Sequence, residues 1–166
     1  MTSSIRELII AEIMTRAATI LTATSPVIYN LNMGAHVYRA IRPVDPANLP
    51  CAVVWPQPET ASYKNGMVEH SMPVIVEGMA KFGSTNPSTI AEQILADLIR
   101  CFTATTWDRR RVKTASPLTY YDPYDESIIY VQGGTGSYPE TGDTVVGASA
   151  TFNVTYWTVA GDPYSQ

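Results

Sequence analysis

The sequence predicts an α+β fold built as a two-layer sandwich: a mainly antiparallel sheet with long strands, and two helices on one of its faces. Three observations carry this. Residues 144–158 read TVVGASATFNVTYWT, with Val146, Ala148, Ala150, Phe152, Val154 and Tyr156 on one face and Val145, Gly147, Ser149, Thr151, Asn153, Thr155 and Trp157 on the other. Such period-two alternation marks a strand with one covered face. Residues 67–79 alternate in the same way, with Val68, His70, Met72, Val74 and Val76 together. Two other segments, 4–22 and 87–103, carry helical spacing instead.

The first helix is expected over 4–22. Ser4 and Glu7 form the S-x-x-E capping box, and Ile5, Leu8, Ile9, Ile13, Ala17, Ile20 and Leu21 make its apolar stripe. Short extended runs follow at 27–31 and 36–40, split by a turn at 32–34. The stretch RPVDPANLP holds three prolines and is expected to be irregular. Residues 51–55 form a short, wholly apolar strand that Pro56 stops, and 57–66 read as a polar loop closed by Asn65–Gly66. In the alternating strand 67–79, Pro73 cannot donate to a ladder, which predicts an edge strand or a bulge. Asn86 or Ser84 caps the second helix, and Pro87 suits its first position. Its buried stripe is Ile90, Ile94, Leu98 and Cys101 or Phe102, with Leu95 and Ile99 beside it. Strand-like runs at 118–121 and 127–132, a glycine-rich loop GGTGSYPETGD, the long final strand and a loose tail GDPYSQ complete the chain.

A strand of thirteen residues at about 3.3 Å each reaches roughly 40 Å, and a globule of 166 residues is about 40 Å across. Each long strand is therefore expected to cross the molecule, and free edges of that length invite pairing with another chain. An oligomer follows as an expectation.

At 166 residues one domain, 1–166, is expected, with no repeat of 20 to 50 residues. Charged residues are only 16 % and the net charge is −4, which argues against nucleic-acid binding by the chain as a whole and fits a surface partly covered by partners. Glu7 and Glu12 interrupt the N-terminal apolar run, so it does not read as a signal peptide, and no apolar stretch is long enough to predict a membrane span. Cys51 and Cys101 match no zinc or redox spacing and are expected as buried free thiols, in keeping with synthesis in a cytosol.

No catalytic, cofactor or metal constellation stands out. Residues 133–136, GGTG, lack the P-loop frame, and Asp122, Asp125 and Glu126 lack the calcium-loop frame. His36 and His70 sit in expected strands with no ligand at metal spacing, which suits polar or packing roles. An enzyme reading would pair His70 with Glu69 or Glu77, but neighbouring strand positions point to opposite faces. Arg109, Arg110, Arg111 and Lys113 form the one strong local charge: either a solvated loop, or a contact with an acidic surface or with nearby DNA, read without sequence preference. Tyrosines are abundant, several of them in loops, among them Tyr63 (next to Lys64) and Tyr138, as suits either contact surfaces or ordinary partial burial.

Three blocks together resemble a known family: SIRELIIAEIMTRAATIL; LPCAVVWPQPETASYKNGMVEHSMPVIVEGMAK, a Leu-Pro before a short apolar strand, a polar loop and a long alternating strand; and the terminal ATFNVTYWTVAGDP. In this order they resemble the tail terminator proteins of long-tailed bacteriophages, the lambda-type minor tail or tail completion family. The block 109–142 lies outside the resemblance. The resemblance implies a non-enzymatic α+β subunit, without cofactor or metal, that forms a homo-hexameric ring on the head-proximal end of the tail tube. Such a ring stops tube polymerisation and presents a surface to the head connector or neck protein, with DNA in the channel nearby. Contact segments carried over are 57–66, including Tyr63 and Lys64, the Arg109–Arg110–Arg111–Lys113 loop, and 132–143, including Tyr138. A different head–tail joining protein is the nearest alternative; a small enzyme and a ligand-binding module are more distant ones.

Overall fold

The computed structural model describes residues 3–24, 28–41, 44–103, 128–135 and 142–164. The elements are α1 (Ile5–Ala17), β1 (Val37–Arg39), β2 (Cys51–Pro56), β3 (Thr60–Lys64), β4 (Met67–Lys81), α2 (Pro87–Thr103), β5 (Ile128–Thr135) and β6 (Val145–Val159), with short 3-10 turns at Met33–Ala35 and Pro46–Asn48. The sheet runs β1-β2-β4-β6-β5, and β3 pairs with β4 beyond the end of β2. Only β1 with β2 is parallel; every other pair is antiparallel. The fold is α+β, with both helices packed on the same face.

Its spine is the pairing of β4 with β6, unbroken over fifteen residues from Met67 opposite Val159 to Lys81 opposite Val145. At about 3.3 Å per residue this ribbon is roughly 50 Å long. The alternation read from the sequence is the one observed. Met72, Val74, Val76 and Ala80 on β4 and the even-numbered residues 146–156 on β6 are buried beneath the helices. Phe152 is the aromatic centre, with ring centroids 4.8 Å from Phe102 of α2 and 5.9 Å from Tyr130 of β5.

Pro73 does not make β4 an edge strand; the irregularity it predicts falls on the facing chain, where residues 57–59 set three positions against Met72 and Pro73. β4 has β6 on one side and both β2 and β3 on the other: β2 pairs with Val74–Met79 and β3 with Met67–Ser71. The Pro73 carbonyl accepts from the Gln57 N–H at 2.9 Å on the β2/β3 side. A strand residue directs N–H and C=O to the same side, so the missing donor faces the gap where β2 ends and β3 has yet to begin. Of the two long strands, β4 is therefore flanked on both sides, and β6 is covered on its outer side by β5 from Ala148 to Val154.

Several elements differ from the sequence expectation. Residues 57–66 are not all loop, because Thr60–Lys64 pair with β4 through the Asn65–Gly66 turn, both of whose residues have positive φ (53° and 80°), as a two-residue hairpin turn requires. β3 is exposed at all five positions, so it lacks the hydrophobic alternation that betrays a strand. Residues 28–31 are irregular: the Asn30 and Leu31 N–H groups donate to the Asp97 carboxylate instead of a ladder. Of 36–40, only Val37–Arg39 form a strand. Gly133–Thr135 belong to β5, past a bulge between Tyr130 and Gln132, rather than to a glycine loop. The run 118–121 lies outside the described residues. The tail is anchored up to Tyr164: the Pro163 carbonyl accepts from the Ile5 N–H at 3.0 Å, satisfying a donor that the helix start leaves free.

α1 begins as expected, with the Glu7 N–H donating to Ser4 Oγ, but it stops at Ala17, short of 22. Thr19 Oγ1 bonds the Arg16 carbonyl at 2.6 Å, a local bond that competes with the helical ladder. Leu8, expected in the stripe, is 37 % exposed, and Ile10 is buried in its place. α2 matches its expected bounds. Asn86 Oδ1 accepts from the Ser88 N–H and Pro87 opens the helix. Ala91 and Asp97 join its buried face.

Two glycines set how closely the layers meet. A Cβ on Gly78 would lie 2.4 Å from Ile94 Cγ2 and 2.6 Å from Met33 Sδ. A Cβ on Gly34 would lie 2.4 Å from the Ala18 carbonyl oxygen and 2.9 Å from the Ile20 nitrogen. Side-chain tips can rotate away and backbone cannot. Gly34→Ala is therefore predicted to lose about 2 kcal/mol or more, and Gly78→Ala less than that. Urea denaturation of both variants checks this, and a Gly34→Ala protein as stable as the parent would contradict it.

Candidate functional site

Two places on the molecule concentrate features beyond core packing. The first is a polar cluster at the α1 end of the sheet. The two-residue turn pairs Lys64 with Met67, and so pairs Ala61 with His70. Period two then brings Glu59, just before β3, to the helix-covered side, next to His70. Glu59 Oε2 accepts from the Tyr156 hydroxyl at 2.6 Å and from Arg6 Nη1 of α1 at 2.9 Å. Arg6 Nη2 also donates to the Gln57 carbonyl at 3.2 Å. His70 stacks on Tyr156, its cross-strand partner, with centroids 4.6 Å apart and planes 8° from parallel. His70 Nε2 lies 2.9 Å from Thr158 Oγ1. His70 Nδ1 is buried 3.2 Å from Glu59 Oε1, close enough for an ion pair but out of line for a hydrogen bond.

The electrostatics follow from these contacts. Burial acts to raise the Glu59 pKa, but the Tyr156 hydroxyl, Arg6 and His70 together outweigh it and hold the carboxyl below its ordinary value. Burial and the Glu59 hydrogen bond push the Tyr156 hydroxyl far up. Chemically this is a satisfied carboxylate that ties α1, β4, β6 and the start of β3 together. Both ring nitrogens of His70 face protein groups, and the ring is covered by Tyr156. Glu69 and Glu77, the carboxylates considered for His70 from the sequence, lie on the opposite face of β4. Glu59 escaped notice because it precedes a strand that the sequence does not advertise; the register of the Asn65–Gly66 turn was the signal that could have found it.

The second place is the other face of the sheet. It carries Met67, Glu69, Ser71, Pro73, Ile75, Glu77, Met79 and Lys81 from β4, opposite Val159, Trp157, Thr155, Asn153, Thr151, Ser149, Gly147 and Val145 from β6. Of these sixteen positions, only Glu69, Glu77 and Lys81 ionise. Most are half-buried, and the face stays partly open along its whole length. Trp55 of β2 donates from Nε1 to Glu77 Oε2 at 3.3 Å, and with Gln57, Ile75 and Ser149 these two line an open groove of about 430 Å³. Cys51 is fully buried on this side of β2, and burial followed by nearby Glu77 raises its thiol to about 11. On the helix side, burial raises Cys101 to about 12. Both are free thiols.

Of the contact residues expected from the sequence, Tyr63 and Lys64 sit exposed on β3 at the hairpin tip, Tyr63 at 72 %. Arg109, Arg110, Arg111, Lys113 and Tyr138 lie outside the described residues, as do Asp122, Asp125 and Glu126. Tyr63 and Lys64 share the exposed hairpin arm and, as neighbours on a strand, point to opposite faces of it. Among the described residues, no group of three or more His, Cys, Asp or Glu side chains gathers to hold a metal, and no helix is long and apolar enough to cross a membrane.

No protein-family model and no curated protein matches this chain.

A folded-state pKa below the ordinary carboxylate value gives a stabilisation present above about pH 4.5 and lost as the pH falls through the folded value. Tyr156→Phe removes a hydroxyl that holds Glu59 ionised. It is predicted to lower stability at pH 7 by about 1–2 kcal/mol and to move the acid-unfolding midpoint to higher pH. Circular dichroism against pH reads the second effect; an unmoved midpoint would separate Tyr156 from the titration of Glu59.

Proposed function

We propose that this chain is a structural virion subunit, a tail terminator of a long-tailed bacteriophage, and not an enzyme. It forms a homo-hexameric ring on the head-proximal end of the tail tube, halts tube growth and offers a surface to the head connector or neck protein. The observation that carries the reading is the second face of the sheet. A ribbon about 50 Å long presents sixteen residues, only three of them ionisable, on the side away from the helices. Extended low-charge surfaces of this kind suit contact with other protein. The fold is α+β, the class that the resemblance implies.

The expectation that long free strand edges would recruit neighbours is not part of this support, because β4 is flanked on both sides. Ring closure is instead assigned to faces and ribbon tips. A ring closes when one patch of each subunit meets a different patch on the next and the rotation completes a circle. The exposed β3 hairpin, with Tyr63 and Lys64 at its tip, and the low-charge sheet face are two such different patches on one subunit. The cationic segment Arg109, Arg110, Arg111 and Lys113 is assigned to acidic tube or connector surfaces or to the DNA passage, where phosphate contact is sequence-neutral.

Three outcomes are expected. Light scattering or electron microscopy of the protein mixed with tail tube finds a ring of about six subunits, in line with closed cyclic symmetry; a strictly monomeric protein both alone and with tube would falsify the ring. Tyr63→Ala with Lys64→Ala leaves monomer stability within about 0.5 kcal/mol, as for exposed surface sites, while weakening ring or tube attachment. Arg109→Glu with Arg110→Glu keeps the ring but lowers the joining of heads to tails, and a normal virion yield would remove those arginines from the account.

A further inference from the structure

We infer that the Glu59 carboxylate is an acid-releasable latch that sets whether the β3 ribbon is docked on the sheet or swung free. All five residues of β3 are exposed, so burial contributes little to holding it. Its attachments are the ladder to Met67–Ser71, the Asn65–Gly66 turn and the contacts of Glu59. At Pro73 the ladder along that side of β4 is interrupted, leaving β3 a pairing unit separate from β2. Opening the ribbon therefore withdraws no residue from the hydrophobic core, whereas opening β4 or β6 would dismantle it.

Among residues 59–64, Glu59 is the side chain that reaches back into the protein. The groups facing it are Arg6 from α1, His70 from β4 and Tyr156 from β6, with Thr158 behind His70; Lys64, on the ribbon itself, stands at the exposed end beside the turn. Ionised Glu59 accepts from both Arg6 and Tyr156. Protonation removes the charge that Arg6 pairs with and takes away one acceptor site. Docking thus favours the ionised form, which agrees with a carboxyl held below its ordinary value in the closed ribbon, and by linkage acid favours the open one. This inference is independent of the ring reading.

Hydrogen–deuterium exchange, corrected for the intrinsic effect of pH, tests it. At neutral pH, Glu59→Gln is expected to speed exchange of the β3 amides by about tenfold or more, the loss of a charge-assisted bond, through a local opening that low urea leaves nearly unchanged, whereas amides of residues 74–80 exchange only through unfolding and speed up steeply with urea. The parent is expected to show the same faster, urea-insensitive exchange of the β3 amides when acidified from about pH 6 to about pH 3.5, and Glu59→Gln to respond far less. Tyr156→Phe is a second variant, milder than Glu59→Gln, with a smaller loosening of the same amides. The latch is overturned if β3 amides show the same urea dependence as residues 74–80 in the parent and in both variants. It is overturned equally if β3 protection ignores both substitutions, or if the acid response survives in Glu59→Gln.

Discussion

The fifteen-residue register between β4 and β6 is the constraint on which the rest of this molecule depends. Because strand side chains alternate, one register puts Met72, Val74 and Val76 with Ala150, Phe152 and Val154 under the helices, and a slip of one residue would turn each of them to the other face. The same register stacks His70 on Tyr156 and sets Gly78 opposite Ala148, so that both the polar cluster and the close helix contact follow from it. Two strands long enough to span the molecule also leave β1, β2, β3 and β5 the lesser task of flanking them.

The helix layer rests on this ribbon through small residues and one buried acid. Gly78 lets Ile94 and Met33 approach the sheet, and Gly34 lets the 3-10 turn approach the end of α1. Asp97, 1 % exposed on α2, accepts from the N–H groups of Asn30 and Leu31 and from Asn30 Nδ2. A buried carboxylate is tolerable when such donors surround it, although burial still outweighs these bonds and raises its pKa. The segment between α1 and β1, which forms no ladder of its own, is fixed to the core in this way.

Much of the fold was legible because the signals were periodic. Alternation gave the faces of β6 and the covered half of β4, and the Asn86–Pro87 cap with the 3.6 spacing gave α2 its bounds. What escaped lacked a local signature. β3 is polar throughout and is a strand only because β4 offers it a template next to a two-residue turn. Pro73 carries a local rule against central strands, and tertiary context satisfies that rule by leaving a gap where the donor is missing. Leu8 is 37 % exposed and Ile10 1 %, because helical spacing alone does not fix which edge of the apolar face meets the core. Of the candidate site, the exposure of Tyr63 and Lys64 was legible from the polar run around them, whereas Glu59 could be found only once the hairpin register was known.

The Asn65–Gly66 turn limits how the β3 hairpin can vary between relatives. A two-residue turn of this kind needs a hydrogen-bonded pair beneath it, and such pairs recur at every second rung of an antiparallel ladder. Lengthening both arms by one residue would put the wrong kind of rung under the tip, while lengthening both by two restores it and leaves Glu59 opposite the same neighbours. Arm length should therefore drift in even steps, and the reach of the tip can evolve without disturbing its base.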